Sequence, residues 1–221
     1  MKKYAIIVAG GTGTRMKGDV PKQFMQLGDK PVILYSVEAF QAYDPSLEII
    51  LVIHSDYIAL WKQLAAEFKI SIFYQVVPGG ETRFDSVKNG LELVKDDGLV
   101  AIHDAARPLI NADFIGSLFI AASTFGSAIP VLPVSDTIRV IDGDTSHQHD
   151  RTFLRAVQTP QIFKVSEIQR AYTQPYQLTF TDDGSVMEAA GFPVHLTEGR
   201  TENIKITHLQ DIAVAEVLMK N

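Results

Sequence analysis

The feature that most constrains this chain is a rhythm. Short runs of Val, Ile and Leu alternate with longer amphipathic stretches. The runs are Tyr4–Val8, Ile49–Ile53, Ile72–Val76, Leu99–Ile102 and Ala128–Leu132. They show little polar alternation, which is the pattern of strands buried on both faces. Between them Pro31–Phe40, Ile58–Phe68, Arg83–Val94 and Phe114–Thr124 read as helices. The first has Pro in its opening turn and Ile33, Leu34, Val37 and Phe40 at helical spacing. Strands joined by helical crossovers predict an α/β fold: three layers around a mostly parallel sheet.

The rhythm breaks after Pro133. Thr137–Ile141 is strand-like and Asp142–Asp150 is polar, so the stretch at about 136–153 reads as an arm leaving the main body. Helical patterns return at Val165–Tyr172 and Asp183–Ala190, a strand at Val194–Leu196, and a last helix at His208–Met219. With no internal repeat and no Pro/Ser-rich linker, residues 1–221 are expected to form a single domain with that arm.

Composition narrows the function. Lys and Arg number 20 against 26 Asp and Glu, a net charge of -6. An acidic surface repels phosphate polymers, so no nucleic-acid polymer is expected as a partner, while a small anion in a local basic pocket remains open. The absence of Cys excludes disulfides, thiolate zinc sites and cysteine nucleophiles. Tyr4–Ala9 is too short for a signal-peptide core and no apolar stretch reaches membrane-spanning length. A cytoplasmic protein without a membrane partner is the expectation.

The first strand runs directly into Ala9-Gly10-Gly11-Thr12-Gly13-Thr14-Arg15-Met16. Glycines there let backbone amides approach a ligand, and successive amides form a concave anion site at the carboxyl edge of an α/β sheet. A plain tight turn is the alternative. The dinucleotide fingerprint needs a third glycine where Met16 stands, and the P-loop needs Lys where Asp19 follows Gly18. Basic residues sit elsewhere: Arg15 inside the loop and Lys22 in Val20-Pro21-Lys22-Gln23. Arginine forks onto phosphate oxygens and lysine acts as a point charge.

Gly79-Gly80-Glu81-Thr82-Arg83-Phe84-Asp85-Ser86-Val87 follows the third strand. It reads either as a helix cap through Thr82 or Glu81, or as a second ligand loop at the same sheet edge. His103-Asp104-Ala105-Ala106-Arg107-Pro108 follows the fourth strand. Asp104 there either holds Mg²⁺ together with substrate phosphates or pairs with Arg107. Asp142-Gly143-Asp144 departs from a calcium loop and reads as a turn, and His147-Gln148-His149-Asp150 as an exposed polar tip. Thr181-Asp182-Asp183 suits a helix cap, and no nucleophile elbow supports Ser/His/Asp chemistry.

These segments occur in one order with Asp136-Thr137, Thr159-Pro160-Gln161, Glu198-Gly199-Arg200 and Asn203-Ile204-Lys205-Ile206-Thr207. Over nearly its whole length the chain resembles the 2-C-methyl-D-erythritol 4-phosphate cytidylyltransferases. The resemblance implies a Rossmann-like nucleotidyltransferase sheet, a β-arm exchanged across a homodimer, and Mg²⁺. It implies a reaction in which CTP and 2-C-methyl-D-erythritol 4-phosphate release pyrophosphate. Carried over by motif, Ala9, Gly10, Gly11, Gly13, Gly80 and Ser86 would bind CTP. Asp104 would hold the metal beside both substrates. Arg15 and Lys22 would stabilise charge on the reacting phosphates. Arg107, Thr137, Arg151 and Lys205 would position the methylerythritol phosphate, with Thr137 and Arg151 coming from the partner's arm. Gly10 also gives the chain a likeness to ribitol-5-phosphate cytidylyltransferases, and Arg155 stands where Trp is frequent. The segments at Arg83–Val87 and Asp104–Pro108 favour the methylerythritol reading.

Overall fold

A computed structural model describes residues 1–11, 20–70 and 74–220. In chain order the strands and helices are β1 (Lys2–Ala9), β2 (Gln26–Leu27), β3 (Lys30–Pro31), α1 (Val32–Tyr43), β4 (Glu48–Ile53), α2 (Ile58–Glu67) and β5 (Tyr74–Pro78). Then come α3 (Arg83–Leu91), β6 (Gly98–Asp104), α4 (Ala112–Phe125), β7 (Ser127–Pro133), β8 (Ile138–Asp142) and β9 (Thr145–His149). The chain ends with β10 (Arg155–Val157), β11 (Gln161–Lys164), α5 (Val165–Ala171), α6 (Asp183–Ala189), β12 (Leu196–Glu198) and α7 (Gln210–Leu218).

The central sheet runs β10-β7-β11-β6-β1-β4-β5, with β12 added parallel to β7. β6, β1, β4 and β5 are mutually parallel, and β11 lies antiparallel between β6 and β7. Side chains alternate across each strand, so an unbroken apolar run feeds two cores at once. Ala5, Ile7, Ile49, Leu51 and Ala101 pack under α1, α2 and α4 through Val37, Phe40, Trp61 and Phe114. Tyr4, Ile6, Ile50, Val52 and Val100 pack on the other face under α3, α5 and α6 through Phe84, Val87, Ile168 and Met187. The three-layer expectation is thus met.

Four of the five expected strands lie within observed ones. The fifth, Ile72–Val76, is seen from Tyr74 onward as part of β5, and its first two positions lie outside the described residues. Three details differ. The polar run Asp142–Asp150 contains β9, which pairs with β8 in an exposed hairpin from Ile138↔His149 to Asp142↔Thr145. A strand that buries neither face leaves no apolar trace in the sequence. β10 and β11 are further additions to the expected set. Each is only a few residues long; they flank Gln158-Thr159-Pro160, and β11 itself opens on the polar Gln161. The expected strand Val194–Leu196 is shifted to β12, since Val194 packs on the core ahead of the ladder.

α3 lies close on the sheet. A Cβ at Gly90 would stand 2.8 Å from Ile6 Cγ2 and 3.1 Å from Val52 Cγ2. Gly90→Ala should therefore destabilise the chain by about 1–2 kcal/mol through overpacking, despite alanine's better helix propensity. Urea unfolding checks this, and an unchanged or raised midpoint would contradict it.

Candidate active site

The site forms where the parallel strands end. β1 and β6 are neighbours in register Val8↔Asp104, and the Ala105 amide donates to the Val8 carbonyl at 3.0 Å. The loop after β1 therefore emerges beside Asp104. Strand order reverses here, with β4 on one side of β1 and β6 on the other. Ligands of open α/β sheets bind at such points.

Gln23, buried, ties down the start of the loop that follows β1. Its Nε2 donates to the Ala9 carbonyl at 2.8 Å and to the Gly11 carbonyl at 3.0 Å. Gly13 and Arg15 lie outside the described residues. Across from this loop, Gly80 N–H donates to Ser86 Oγ at 3.1 Å and the Ser86 hydroxyl donates to the Thr82 carbonyl at 2.9 Å. Thr82 and Asp85 form a reciprocal capping box at the start of α3, so the cap reading of this segment holds for Thr82. A Cβ at Gly80 would stand 2.3 Å from Asp85 Cβ, inside that box. Ala9, Gly10, Gly11, Lys22, Gly80, Ser86, Asp104 and Lys205 share one cavity of about 230 Å³.

Asp104 is the centre. Its Oδ1 accepts from Arg83 Nε at 3.1 Å and its Oδ2 from Lys205 Nζ at 2.6 Å. Burial alone would raise its pKa, but the attraction of Arg83 and Lys205 outweighs it and holds the carboxyl far below the ordinary range. The alternative in which Asp104 pairs with Arg107 is not what the structure shows. The Arg107 guanidinium instead donates through Nη1 to the Asn203 carbonyl at 2.8 Å. Burial pushes its pKa down, Asp104 acting against this, and its Nε has no hydrogen-bond partner among the described residues.

The two cations on Asp104 are unlike. Arg83 is anchored by a fork onto the fully buried Asp183, with Nη1 to Oδ1 at 3.0 Å and Nη2 to Oδ2 at 2.7 Å. Burial opposes its charge, yet Asp183 and Asp104 raise its pKa well above the ordinary value. Lys205 makes one ion pair among the described residues, that with Asp104, and its side chain is 39% exposed. Arg83 is thus a fixed wall and Lys205 a cation that rotamer change can redirect.

A second cavity lies beyond this wall, lined by Arg83, Asp104, Arg107, Thr159, Thr181 and Lys205 among others. It shares Arg83, Asp104 and Lys205 with the first. The run Gln158-Thr159-Pro160-Gln161 holds its edges together. Gln158 bonds both the amide and the carbonyl of Arg200, at 3.0 and 2.8 Å, steadying the segment that carries Lys205. Thr159 Oγ1 accepts from the Asp104 amide at 3.0 Å. Gln161 donates to Asp182 Oδ2 at 2.8 Å and accepts from the Gly184 amide at 2.9 Å, fixing the start of α6. Sequence reasoning reads Asp183 only within a helix cap, a role that falls to Asp182 at the start of α6, and assigns no site role to Arg83 or these amide side chains. The available signal is an unusual density of amides and hydroxyls in a run where no helix begins.

Thr137 and Arg151 stand exposed at the foot of the hairpin arm and line neither cavity. Arg151 Nη1 donates to the Ser135 carbonyl. No group of three or more His, Cys, Asp or Glu suited to a metal occurs among the described residues. One ionised carboxylate at the junction of the two cavities does fit Mg²⁺ of the kind that takes most of its oxygens from substrate phosphates and water. No helix among the described residues is long and apolar enough to cross a membrane.

An open α/β sheet with a glycine loop facing a carboxylate–cation cluster at its switch point defines a nucleotidyltransferase-type enzyme. The family model described as IspD, 2-C-methyl-D-erythritol 4-phosphate cytidylyltransferase, matches residues 4–221. The enzyme of that name from Bacteroides thetaiotaomicron is 47% identical over 219 residues, covering 99% of this chain and 100% of the relative. That from Phocaeicola vulgatus is 46% identical over the same span, with the same coverage. Among solved structures, the 4-diphosphocytidyl-2C-methyl-D-erythritol synthase of Anaerococcus prevotii aligns with a TM-score of 0.83 at 26% identity, covering 100% of this chain and 99% of that one. The Thermus thermophilus cytidylyltransferase aligns at 0.77 with 30% identity, covering 99% and 98%. The chain belongs to the 2-C-methyl-D-erythritol 4-phosphate cytidylyltransferase family.

Next to Asp104, His103 is fully buried, and burial pushes its pKa down to about 4 against the weaker opposing pull of Asp104. The folded chain therefore binds fewer protons than the unfolded one between that value and the ordinary 6.5. Stability from this group is complete above 6.5 and is lost as pH falls toward about 4. Its contribution to the loss is roughly 3 kcal/mol. Urea midpoints across this window should fall less steeply for His103→Gln than for the natural chain; parallel slopes would contradict the assignment.

Proposed function

We propose that the chain carries out its family's reaction with one substrate on each side of Asp104. CTP and 2-C-methyl-D-erythritol 4-phosphate combine to give 4-diphosphocytidyl-2-C-methyl-D-erythritol and pyrophosphate, a step of non-mevalonate isoprenoid biosynthesis. The observation that carries this reading is the shared wall: Arg83, Asp104 and Lys205 face two cavities at once.

The first cavity takes CTP. Ala9, Gly10, Gly11 and Gly13 cradle its phosphates, and Gly80 and Ser86 hold the cytosine end. The second takes the methylerythritol phosphate, with the Arg107 guanidinium as a donor. The nucleophile is a phosphate monoester whose second pKa is about 6, so it is mostly ionised at neutral pH and needs no general base. The difficulty is repulsion between two polyanions. Arg15 and Lys22 offset the charge that builds at the α-phosphorus, while Lys205 and Arg151 orient the attacking oxygen. Asp104 would hold Mg²⁺, which supplies further charge neutralisation between the two phosphates. Soluble phosphorylated substrates suit a cytoplasmic location.

The reading includes a homodimer. An isolated two-stranded hairpin is marginally stable in water, and the arm and its foot expose Ile141 at 71% and Phe153 at 84%. A second copy would cover these groups and bring the partner subunit's Thr137 and Arg151 to the second cavity.

Pyrophosphate release with CTP, Mg²⁺ and a panel of polyol phosphates tests the reaction. Turnover with 2-C-methyl-D-erythritol 4-phosphate is expected; turnover only with ribitol 5-phosphate would redirect the substrate assignment. Lys22→Ala should lower kcat by about 100-fold or more while changing CTP binding far less, because its charge acts on the transition state. A normal kcat would remove Lys22 from that role. Mixing Lys205→Ala with Arg151→Ala protomers should restore part of the activity, since one site in each mixed dimer keeps both groups. No recovery after confirmed subunit exchange would count against a shared site.

A further inference from the structure

His103 has a use that the reaction scheme does not include. It is fully buried at the end of β6, directly before Asp104. Three polar groups surround its ring. Nδ1 is 3.1 Å from Thr159 Oγ1, while Nε2 is 3.1 Å from the Arg107 carbonyl and 3.3 Å from Ser36 Oγ on α1. Phe40 meets the ring edge-on with centroids 5.7 Å apart.

Hydrogen-bond chemistry assigns the donor and acceptor roles here. A carbonyl oxygen only accepts, so Nε2 must carry the proton that goes to Arg107. In a neutral ring Nδ1 is then an acceptor. Thr159 Oγ1 already accepts from the Asp104 amide at 3.0 Å, so its own proton is free to go to Nδ1. A directed relay results: Asp104 N–H to Thr159, Thr159 O–H to His103, His103 N–H to the Arg107 carbonyl. It closes the segment from Asp104 to Arg107 into one rigid piece. That segment carries the carboxylate of the shared wall and the guanidinium of the second cavity.

We propose that His103, as its Nε2–H tautomer, is a positioning residue for the second substrate: Nδ1 sets Asp104 through Thr159, and Nε2 sets Arg107. The proposal rests on the cytidylyltransferase reading. It separates the two halves of the ring by function, which a merely space-filling histidine would not do.

Two substitutions split the halves. His103→Gln keeps an amide donor near the place of Nε2 and removes the Nδ1 acceptor. Asp104 should loosen, and kcat should fall about tenfold with the KM for 2-C-methyl-D-erythritol 4-phosphate within about twofold. His103→Asn keeps an acceptor near the place of Nδ1 and removes the donor to Arg107. The KM for that substrate should rise about tenfold, with kcat changed less. In His103→Asn, where the Asp104 side of the relay is kept, the KM for CTP should stay within about twofold. Equal effects of the two changes, or a CTP KM that moves with the other in His103→Asn, would overturn the proposal. Nitrogen-15 spectra of the natural chain decide independently of whether the variants fold. A His103 ring protonated on Nε2 supports the relay, and one protonated on Nδ1 overturns it. If the natural chain releases no pyrophosphate with any polyol phosphate, the reaction assignment fails instead, and the spectra still judge the relay.

Discussion

A buried carboxylate must be paired, and in this protein the pairing of Asp104 organises the rest. Removing one partner from a buried ion pair leaves a charge without compensation, which is strongly destabilising. The fold answers with two cations of different character. Arg83 is locked by Asp183 beneath it, and Tyr172 donates to Asp183 Oδ1 at 2.6 Å from behind. Lys205 reaches in from a distant segment and keeps one side to solvent. The arrangement keeps Asp104 ionised and oriented while leaving one of its two contacts exchangeable.

Such a cluster needs a rigid frame, and the frame is the parallel sheet. β6 is buried along its whole length, and β1 beside it is buried at most of its positions. Their ends cannot drift without disturbing two packed cores. The polar run from Gln158 to Gln161 extends that rigidity outward. Gln158, Thr159 and Gln161 each bond a different site-bearing segment, near Arg200, Asp104 and Asp182. This short run thus sets the relative placement of Lys205, Asp104 and Asp183.

The strands that can be read from the sequence are those buried on both faces. Tyr4–Val8 and Leu99–Ile102 are visible because a central parallel strand, buried on both faces, reads as a nearly continuous apolar run. The glycine loop and Asp104 are legible for a related reason: they stand where such strands stop, and strand ends in α/β sheets are where ligands bind. β9 is not legible because an exposed hairpin imposes no apolar pattern, and β11 because four residues are too few to show one. Ser86 illustrates a subtler limit. Its motif points to the nucleotide, yet its hydroxyl is already committed to Gly80 and Thr82, so its contribution to the cavity is shape as much as contact.

By itself the sequence determined the layered α/β architecture, the position of the glycine loop and the family, because burial periodicity and ordered motifs are local properties of the chain. Only the tertiary structure decided which charges meet. Arg83 and Asp183 are 100 positions apart, and Asp104 and Lys205 101. No local pattern links them. They pair because the sheet carries each to the same edge, where low exposure makes an unpartnered charge too costly to keep.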